Sequence, residues 1–537
     1  MDSPLDDAGE FCAEGAAGLK RRRLGAQSRR GPTSGLESDL WAQGVLESLK
    51  LSGLLKCFGE ALPLRMSTDY SGLGSAEEAV RQLIAAWQDE QGGESRHGSS
   101  MSWQELPPPV LVERAGDKDE TCRSLLLLHE GFAAPRCVFG DIGERCDRRI
   151  WEKTAEDLKR LQKSAAARSL VSAPELAVHL RERFAAQALG SVSSYCFRHK
   201  QRCPIVAASA EAACPSHACS GAAAVPSKEP TAAQLQLHIA GFSCLDWSQM
   251  GSEKGWYGDS TLPFMQWVAE RFACEEHIII AENTLQFDRK TFAKILEPKY
   301  SLSCLSVSPA MLGEPVQRQR WYMIALRKGQ RRWRRRGLSD ADAEQPADSF
   351  LQRWFEDMFA KSVQMCPEQK FRAPPSLVQD FVKGLVVAST LPETSRSGQA
   401  WSCYQAMSAA LRRKVEEHKR WLTQEAGEDE LLLPAASMWT TNLAQSATFM
   451  PPTSGLVPAM LQKTILWLFG KRRLALPQEH LDCQGWNIFG EGASACPFRH
   501  KLMQLSTNKL RSLAGNAMHL QAIGTVLAFA VACTEAA

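Results

Sequence analysis

A chain of 537 residues with a net charge of +3 is long enough for about three domains, and that charge excludes nucleic-acid affinity resting on overall balance rather than on local basic clusters. Seventeen cysteines, an odd number without a framework spacing, exclude a disulfide-stapled scaffold and read as reduced, intracellular thiols. The start, MDSPLDDAGEFCAEG, lacks the apolar core of a secretory signal, and no run reaches the roughly 18 apolar residues of a membrane helix, so a soluble protein with no membrane partner is expected.

Residues 1–36 are rich in Gly, Ala, Ser and charge and predict a disordered basic tail. Within it, Lys20 to Arg23 read as a nuclear import signal or nucleic-acid arm, with a solvated charge run as the alternative. Residues 37–143 then change texture. PLRMSTDYSGLGSAEEAVRQLIAAW predicts a strand, a glycine turn and a helix; PPPVLVERAGDKDETCRSLLLLH repeats the unit, and APRCVFGDIGE supplies a third strand end. This alternation predicts an α/β fold with a doubly wound, parallel, Rossmann-like sheet, whose ligand crevice lies at the carboxyl ends of the strands.

Residues 144–234 interrupt the rhythm as an insertion: a charged helical stretch, a Cys/His cluster and an Ala/Ser/Pro tract. Over 235–330 the sheet resumes with LQLHIAGFSC, a helix at LPFMQWVAERF, and the strands HIIIAEN and RWYMIALRKG. Seven of the ten residues 327–336 are Lys or Arg, which marks a boundary. Residues 331–450 predict a linker and a second, smaller domain, and 451–537 close the chain with LRSLAGNAMHLQAIGTVLAFAVAC, whose last half is apolar all round and predicts a buried helix.

Three places carry candidate chemistry. The turn DYSGLGS follows a strand, and Gly72 and Gly74 either let the backbone approach a ligand or simply make a tight turn. Glu77 and Glu78 on the first turn of the next helix favour a ligand with cationic and hydroxyl groups over a pyrophosphate, which fits S-adenosylmethionine better than a dinucleotide. Asp141 in FGDIG, at another strand end, can accept a hydrogen bond from an adenine amino group or cap a turn. Cys244, in GFSCLDWSQMGSEKGWYGDS, is either a nucleophile delivered by a strand to a loop or one more thiol.

In this order, DYSGLGS, GFSCLDWSQMGSEKG, IIIAENTLQF and GEPVQRQRWYMIAL resemble the cytosine-5 DNA methyltransferase family. RRLALPQEHLDCQGW and LAGNAMHLQAIG look like its closing motifs, so the resemblance spans residues 66 to about 530. It implies an S-adenosylmethionine-dependent methyltransferase fold with a target-recognition domain over part of 331–450, and methyl transfer to carbon 5 of cytosine in DNA.

Carried over residue by residue, the resemblance makes Cys244 the nucleophile that adds to carbon 6. Glu282 becomes the acid at ring N3, Asn283 the holder of the pocket wall, Arg320 the contact to the base carbonyl, and Arg318 the cation that keeps the thiol ionised. Tyr70, Gly72, Gly74, Asp141 and Asn516 fall on the cofactor side. The loop after Cys244 would close over a flipped base, its glycines acting as hinges. The chain departs from the family pattern at Ser243 and Leu245, where Pro and Gln are usual, and at Val316, where Gln is usual. The aligned ribose position reads Ala115, so Glu113 and Asp117 on either side are the candidates.

Two substrates and one non-catalytic role stay open: DNA, a structured RNA such as tRNA, or an impaired family member that binds nucleic acid as a regulatory module. A monomer, acting in the nucleus, is expected. Cys196, His199, Cys203, Cys214, His217 and Cys219 fall within 24 residues and could bind zinc, or be reduced cysteines beside a basic helix. The Arg-Trp run at 327–336 could hold phosphates with Trp333 stacked on a base, the alternative being a solvated linker.

Overall fold

The computed structural model describes residues 40–94, 108–164, 171–187, 193–205, 234–249, 251–363, 365–387, 402–426, 439–449, 455–490 and 496–537. Lys20 to Arg23, Cys214, His217 and Cys219 lie outside them.

Short runs of apolar and β-branched residues bounded by turn residues build a nine-stranded sheet. Its strands are β1 (Leu64–Asp69), β2 (Val110–Gly116), β3 (Cys137–Phe139), β4 (Ser193–Cys196), β5 (Gln201–Pro204), β6 (Gln236–Gly241), β7 (Ile278–Asn283), β8 (Tyr300–Val307) and β9 (Arg320–Arg327). The order across the sheet is β5-β4-β3-β2-β1-β6-β7-β9-β8. Strands β3, β2, β1, β6 and β7 are parallel, β9 runs antiparallel to both β7 and β8, and the β4–β5 hairpin adds antiparallel to β3.

The chain winds from β1 outward through β2 and β3, then returns to the other side of β1 with β6. The switch point therefore lies between β1 and β6, and a crevice opens at their carboxyl ends. This is the doubly wound, Rossmann-like fold expected, with a reversed β9 and β8 at one edge. Because β9 is reversed, its first residues arrive at the edge where β6 and β7 end.

The sheet separates two cores by the period-2 alternation of each strand. On β7, Ile278 and Ile280 join one core, while Ile279 and Ala281 join the other. The first core is covered by α1 (Trp41–Leu51), α2 (Ser75–Glu94) and two later helices; the second by α3 (Thr261–Cys274), which contributes Phe264, Met265 and Trp267. Helix α4 (Asp348–Phe359) places Leu351, Trp354, Phe355 and Phe359 in the first core, against β8. Beyond it, the three-stranded sheet Thr440–Asn442, Leu466–Leu468 and Arg473–Leu474, with helices Pro375–Val387 and Ala409–Ala426, packs around smaller apolar clusters.

The end of the chain supplies α5 (Thr507–Asn516) and α6 (Leu520–Ala532). The stretch Thr507–Ala532 is long and apolar enough to cross a membrane by length and composition, yet 83% of its most apolar window is buried inside the protein. All-round apolarity is what a helix enclosed by α1, α2 and α4 requires, in keeping with the buried helix expected from its sequence.

The Arg-Trp run corrects one expectation. Residues Arg331–Trp333 form a strand that pairs antiparallel with Thr534–Ala536. Trp333 is fully buried against Phe529 and Trp354, its Nε1 donating to Ser303 Oγ at 3.2 Å, so its ring is not available to stack on a base. Arg332 and Arg334 pair with Glu535, each at 3.3 Å, and Arg335 with Asp340. Alternation sends the indole into the core and the guanidinium groups out along the strand.

Candidate active site

One cavity of about 790 Å³ lies at the carboxyl ends of β1, β2, β3, β6 and β7. At its first end, β1 stops at Asp69 and the chain turns through Tyr70, whose φ of 54° is a left-handed conformation costly for a side-chain-bearing residue. Asp69 is buried, and Arg145 holds it at 2.9 Å while also reaching Glu270 at 3.2 Å. Against the cost of burial, Arg145 keeps the Asp69 carboxyl below its ordinary range. Gly72 N–H donates to Asp117 Oδ2 at 2.9 Å, and Asp119 N–H to Asp117 Oδ1 at 2.8 Å, which stitches the turn after β1 to the turn after β2. Burial pushes the Asp117 carboxyl up. Asp141, just beyond β3, accepts from Gly143 N–H at 2.9 Å and lines the same cavity.

The ribose candidates separate here. Glu113 points from mid-strand to Arg65, with Arg65 Nε at 2.8 Å, whereas Asp117 lines the cavity. Asp119, which the motif comparison missed, lines it too and pairs with Lys509; its signal was local, the helix-capping pattern DKDETC. Gly74 is not in the wall: a Cβ there would overlap the His129 ring, so this glycine serves helix packing. The expectation for Glu77 and Glu78 is also corrected. Neither lines the cavity; Glu77 is fully buried and accepts from Thr68 Oγ1, while Glu78 binds Arg81.

At the second end, β6 delivers Cys244. Its carbonyl accepts from Trp247 N–H at 3.0 Å and Ser248 N–H at 2.9 Å, and Ser243 Oγ accepts from Leu245 N–H at 3.5 Å. Ser243 thus caps the turn that presents the thiol. Cys244 is partly exposed and lines the cavity. In register with Gly241, β7 places Glu282, and Arg320 at the start of β9 reaches it, Nε to Oε1 at 3.2 Å.

Arg318 also lines the cavity, but its guanidinium donates to the carbonyls of Met460 at 2.8 Å, Gly515 at 3.2 Å and Ala517 at 3.0 Å. Burial, with Arg320 nearby, pushes its pKa down to about 10, so it is still a cation at neutral pH. Asn283 accepts from Thr284 N–H at 2.8 Å, and its Nδ2 is buried with no acceptor among the described residues. Asn516 accepts from Gln462 Nε2 at 2.8 Å and completes the rim. Val316 is fully buried and bridges to Val457, a packing position that an amide side chain would leave unsatisfied.

The loop after Cys244 folds back on Asp246. That carboxylate accepts from Ser252 Oγ at 2.5 Å and from Ser260 N–H and Oγ at 2.8 and 2.6 Å. Against the desolvation of partial burial, these bonds hold the Asp246 carboxyl below its ordinary value. A Cβ at Gly258 would overlap that carboxylate, and one at Gly251 would overlap the Leu245 carbonyl, so both glycines are required for close approach rather than as hinges alone.

The donor set suits S-adenosylmethionine. Asp117, Asp119 and Asp141 offer carboxylates to hydroxyl and amino groups, and the orphaned Asn283 amide offers a donor. Of the Cys/His cluster, Cys196, His199 and Cys203 come together with Cys137, a fourth residue that lies far from them in sequence.

No family model matches the chain, and no curated protein matches it. Among solved structures, the chain is similar to the S. pombe Dnmt2 methyltransferase, at 13% identity and a TM-score of 0.38, over 87% of this chain and 98% of that one. A triple mutant of Spodoptera frugiperda DNMT2 matches at 13% identity and 0.32, over 86% and 98%, and the Entamoeba histolytica methyltransferase EhMeth at 10% and 0.32, over 87% and 97%. At these values the likenesses carry no inference about this chain.

Proposed function

We propose that this chain transfers a methyl group from S-adenosylmethionine to carbon 5 of cytosine in DNA, through a covalent adduct between Cys244 and a base turned out of its helix. The observation that carries this reading is convergence. Cys244 after β6, Glu282 at the end of β7 and Arg320 at the start of β9 share one cavity with the carboxylates after β2 and β3.

Carbon 5 of cytosine is a poor nucleophile until the ring is activated. The Cys244 thiolate adds to carbon 6, and Glu282, steered by Arg320, hydrogen-bonds or protonates N3 so that electron density moves to carbon 5. S-adenosylmethionine, when bound, would supply the methyl that carbon 5 takes and would leave as S-adenosylhomocysteine; water would then take the proton on carbon 5, its C–H pair re-forming the 5,6 double bond while the carbon 6–Sγ pair returns to Cys244 as thiolate. Asp117, Asp119 and Asp141 orient the cofactor, and Arg318 serves by fixing the backbone at 460, 515 and 517 around the site. Action as a monomer in the nucleus belongs to the same reading, resting on the basic run Lys20 to Arg23 for import.

The test is transfer of labelled methyl to duplex DNA and, in parallel, to tRNA, for wild type and Cys244→Ala. Incorporation into cytosine of DNA that vanishes in the variant supports the proposal, and incorporation into tRNA alone moves the substrate to RNA. No incorporation into either, with cofactor bound, overturns the enzymatic reading in favour of a regulatory one.

A further inference from the structure

We infer that Cys137, Cys196, His199 and Cys203 form a closed, structural zinc site that clamps the β4–β5 hairpin onto the edge of the sheet. The four donor atoms all lie within 4.8 Å of one another. His199 Nδ1 sits at the hub, 3.7 Å from Cys137 Sγ, 3.5 Å from Cys196 Sγ and 3.3 Å from Cys203 Sγ. With Zn–S near 2.3 Å and Zn–N near 2.0–2.1 Å, a tetrahedral centre needs sulfur-to-nitrogen edges of about 3.5 Å. The three edges bracket that figure.

The topology explains why the donors meet. Cys137 opens β3, Cys196 ends β4, Cys203 lies on β5 opposite Ser194, and His199 is in the connecting turn. Cys196 and Cys203 are buried and Cys137 and His199 partly so; four protein donors leave no open position, which marks a structural rather than a catalytic centre.

The hairpin needs such a clamp. Its strands are four residues each, it meets β3 at one register pair, Phe139 with Cys196, and its apolar cluster is Phe139, Cys196, Cys203 and Ile205 with Cys137 alongside. A two-stranded hairpin with so little to bury is marginal. Loading replaces three thiol protons, released to solvent, with three Zn–S bonds, and the Nδ1 lone pair makes the fourth while Nε2 keeps its proton. The clamp also steadies β3: Phe197 N–H donates to Val138 O at 2.8 Å, and Phe197 packs near Gly140, the residue before Asp141.

The experiment uses the full chain. Zinc content after dialysis is measured for wild type, Cys137→Ser and Cys214→Ser, and the cobalt(II)-exchanged wild type is examined for sulfur-to-cobalt charge transfer. One zinc per chain in wild type and Cys214→Ser, its loss in Cys137→Ser, and a tetrahedral three-thiolate cobalt spectrum support the site. Wild type free of metal, or retention in Cys137→Ser, overturns it. So does loss confined to Cys214→Ser, which would move the ligands into the Ala/Ser/Pro tract. Should Cys137→Ser fail to fold, the cobalt spectrum decides, together with trypsin cleavage of wild type at Arg198, Lys200 or Arg202. Chelation is expected to speed that cleavage at least tenfold and added zinc to reverse it; unchanged cleavage counts against the clamp.

Discussion

Glu77 is fully buried on the first turn of α2, accepts a hydrogen bond from Thr68 Oγ1, and has its carboxyl pushed up to about 7 by desolvation. Its ordinary value is 4.5. A folded-state pKa above the unfolded one contributes stability that is fully present below 4.5 and is lost as pH rises through about 7. Glu77→Gln is therefore expected to raise the melting temperature relative to wild type above pH 7, by up to about 3 kcal/mol in free energy, with the gain vanishing below pH 4.5. A pH series of thermal melts checks this, and a pH-independent difference would count against it. The sequence showed an acid at a helix start; only the direction of the side chain, into the core rather than the crevice, removed it from the ligand. Trp333 was misread for the same reason, since a basic run says nothing about which side of a strand its indole takes.

At the scale of elements, the loop from Cys244 to Ser260 depends on close approach. Gly258→Ala would drive a Cβ into the Asp246 carboxylate and break its bonds to Ser252 and Ser260. Displacing the loop that presents a nucleophile by about 1 Å costs on the order of 100-fold in turnover. If the proposed methyl transfer holds, that loss is expected for Gly258→Ala with the affinity for S-adenosylmethionine within about twofold of wild type, since Asp117, Asp119 and Asp141, proposed to hold the cofactor, lie on other turns. Equal losses in both would indicate general unfolding. Strands β1, β2, β3, β6, β7 and β9 and the glycine turns were legible in the sequence because runs of apolar residues and left-handed turns are local properties, whereas β8 was not expected. The β4–β5 hairpin was not, since it is held by β3 and by donors more than fifty residues apart.

At the scale of the whole molecule, Trp333 joins the arginine-rich strand, β8, α4 and α6 into one core. Trp333→Ala is expected to destabilise the protein by about 3–5 kcal/mol, read by denaturant unfolding, while the DNA affinity that the proposed function implies is unchanged in the folded fraction. A variant of full stability with weakened binding would restore the stacking role. What the sequence by itself determined is the succession of β1, β2, β3, β6, β7 and β9 with their turns, the apolar character of α6, and the presence of the motifs bearing Cys244, Glu282, Arg320, Asp141 and Asn516. The strands and the apolar helix follow from local backbone preference and residue type, and the motif residues from the family resemblance. The tertiary structure alone decided that β9 is reversed, so that Arg320 meets Glu282, that Asp117 rather than Glu113 faces the cavity, that Arg318 ties three carbonyls, and that Cys137 joins Cys196, His199 and Cys203. Each of these depends on which strand lies beside which and on the face a side chain takes, and pairing between distant segments leaves no mark in local pattern.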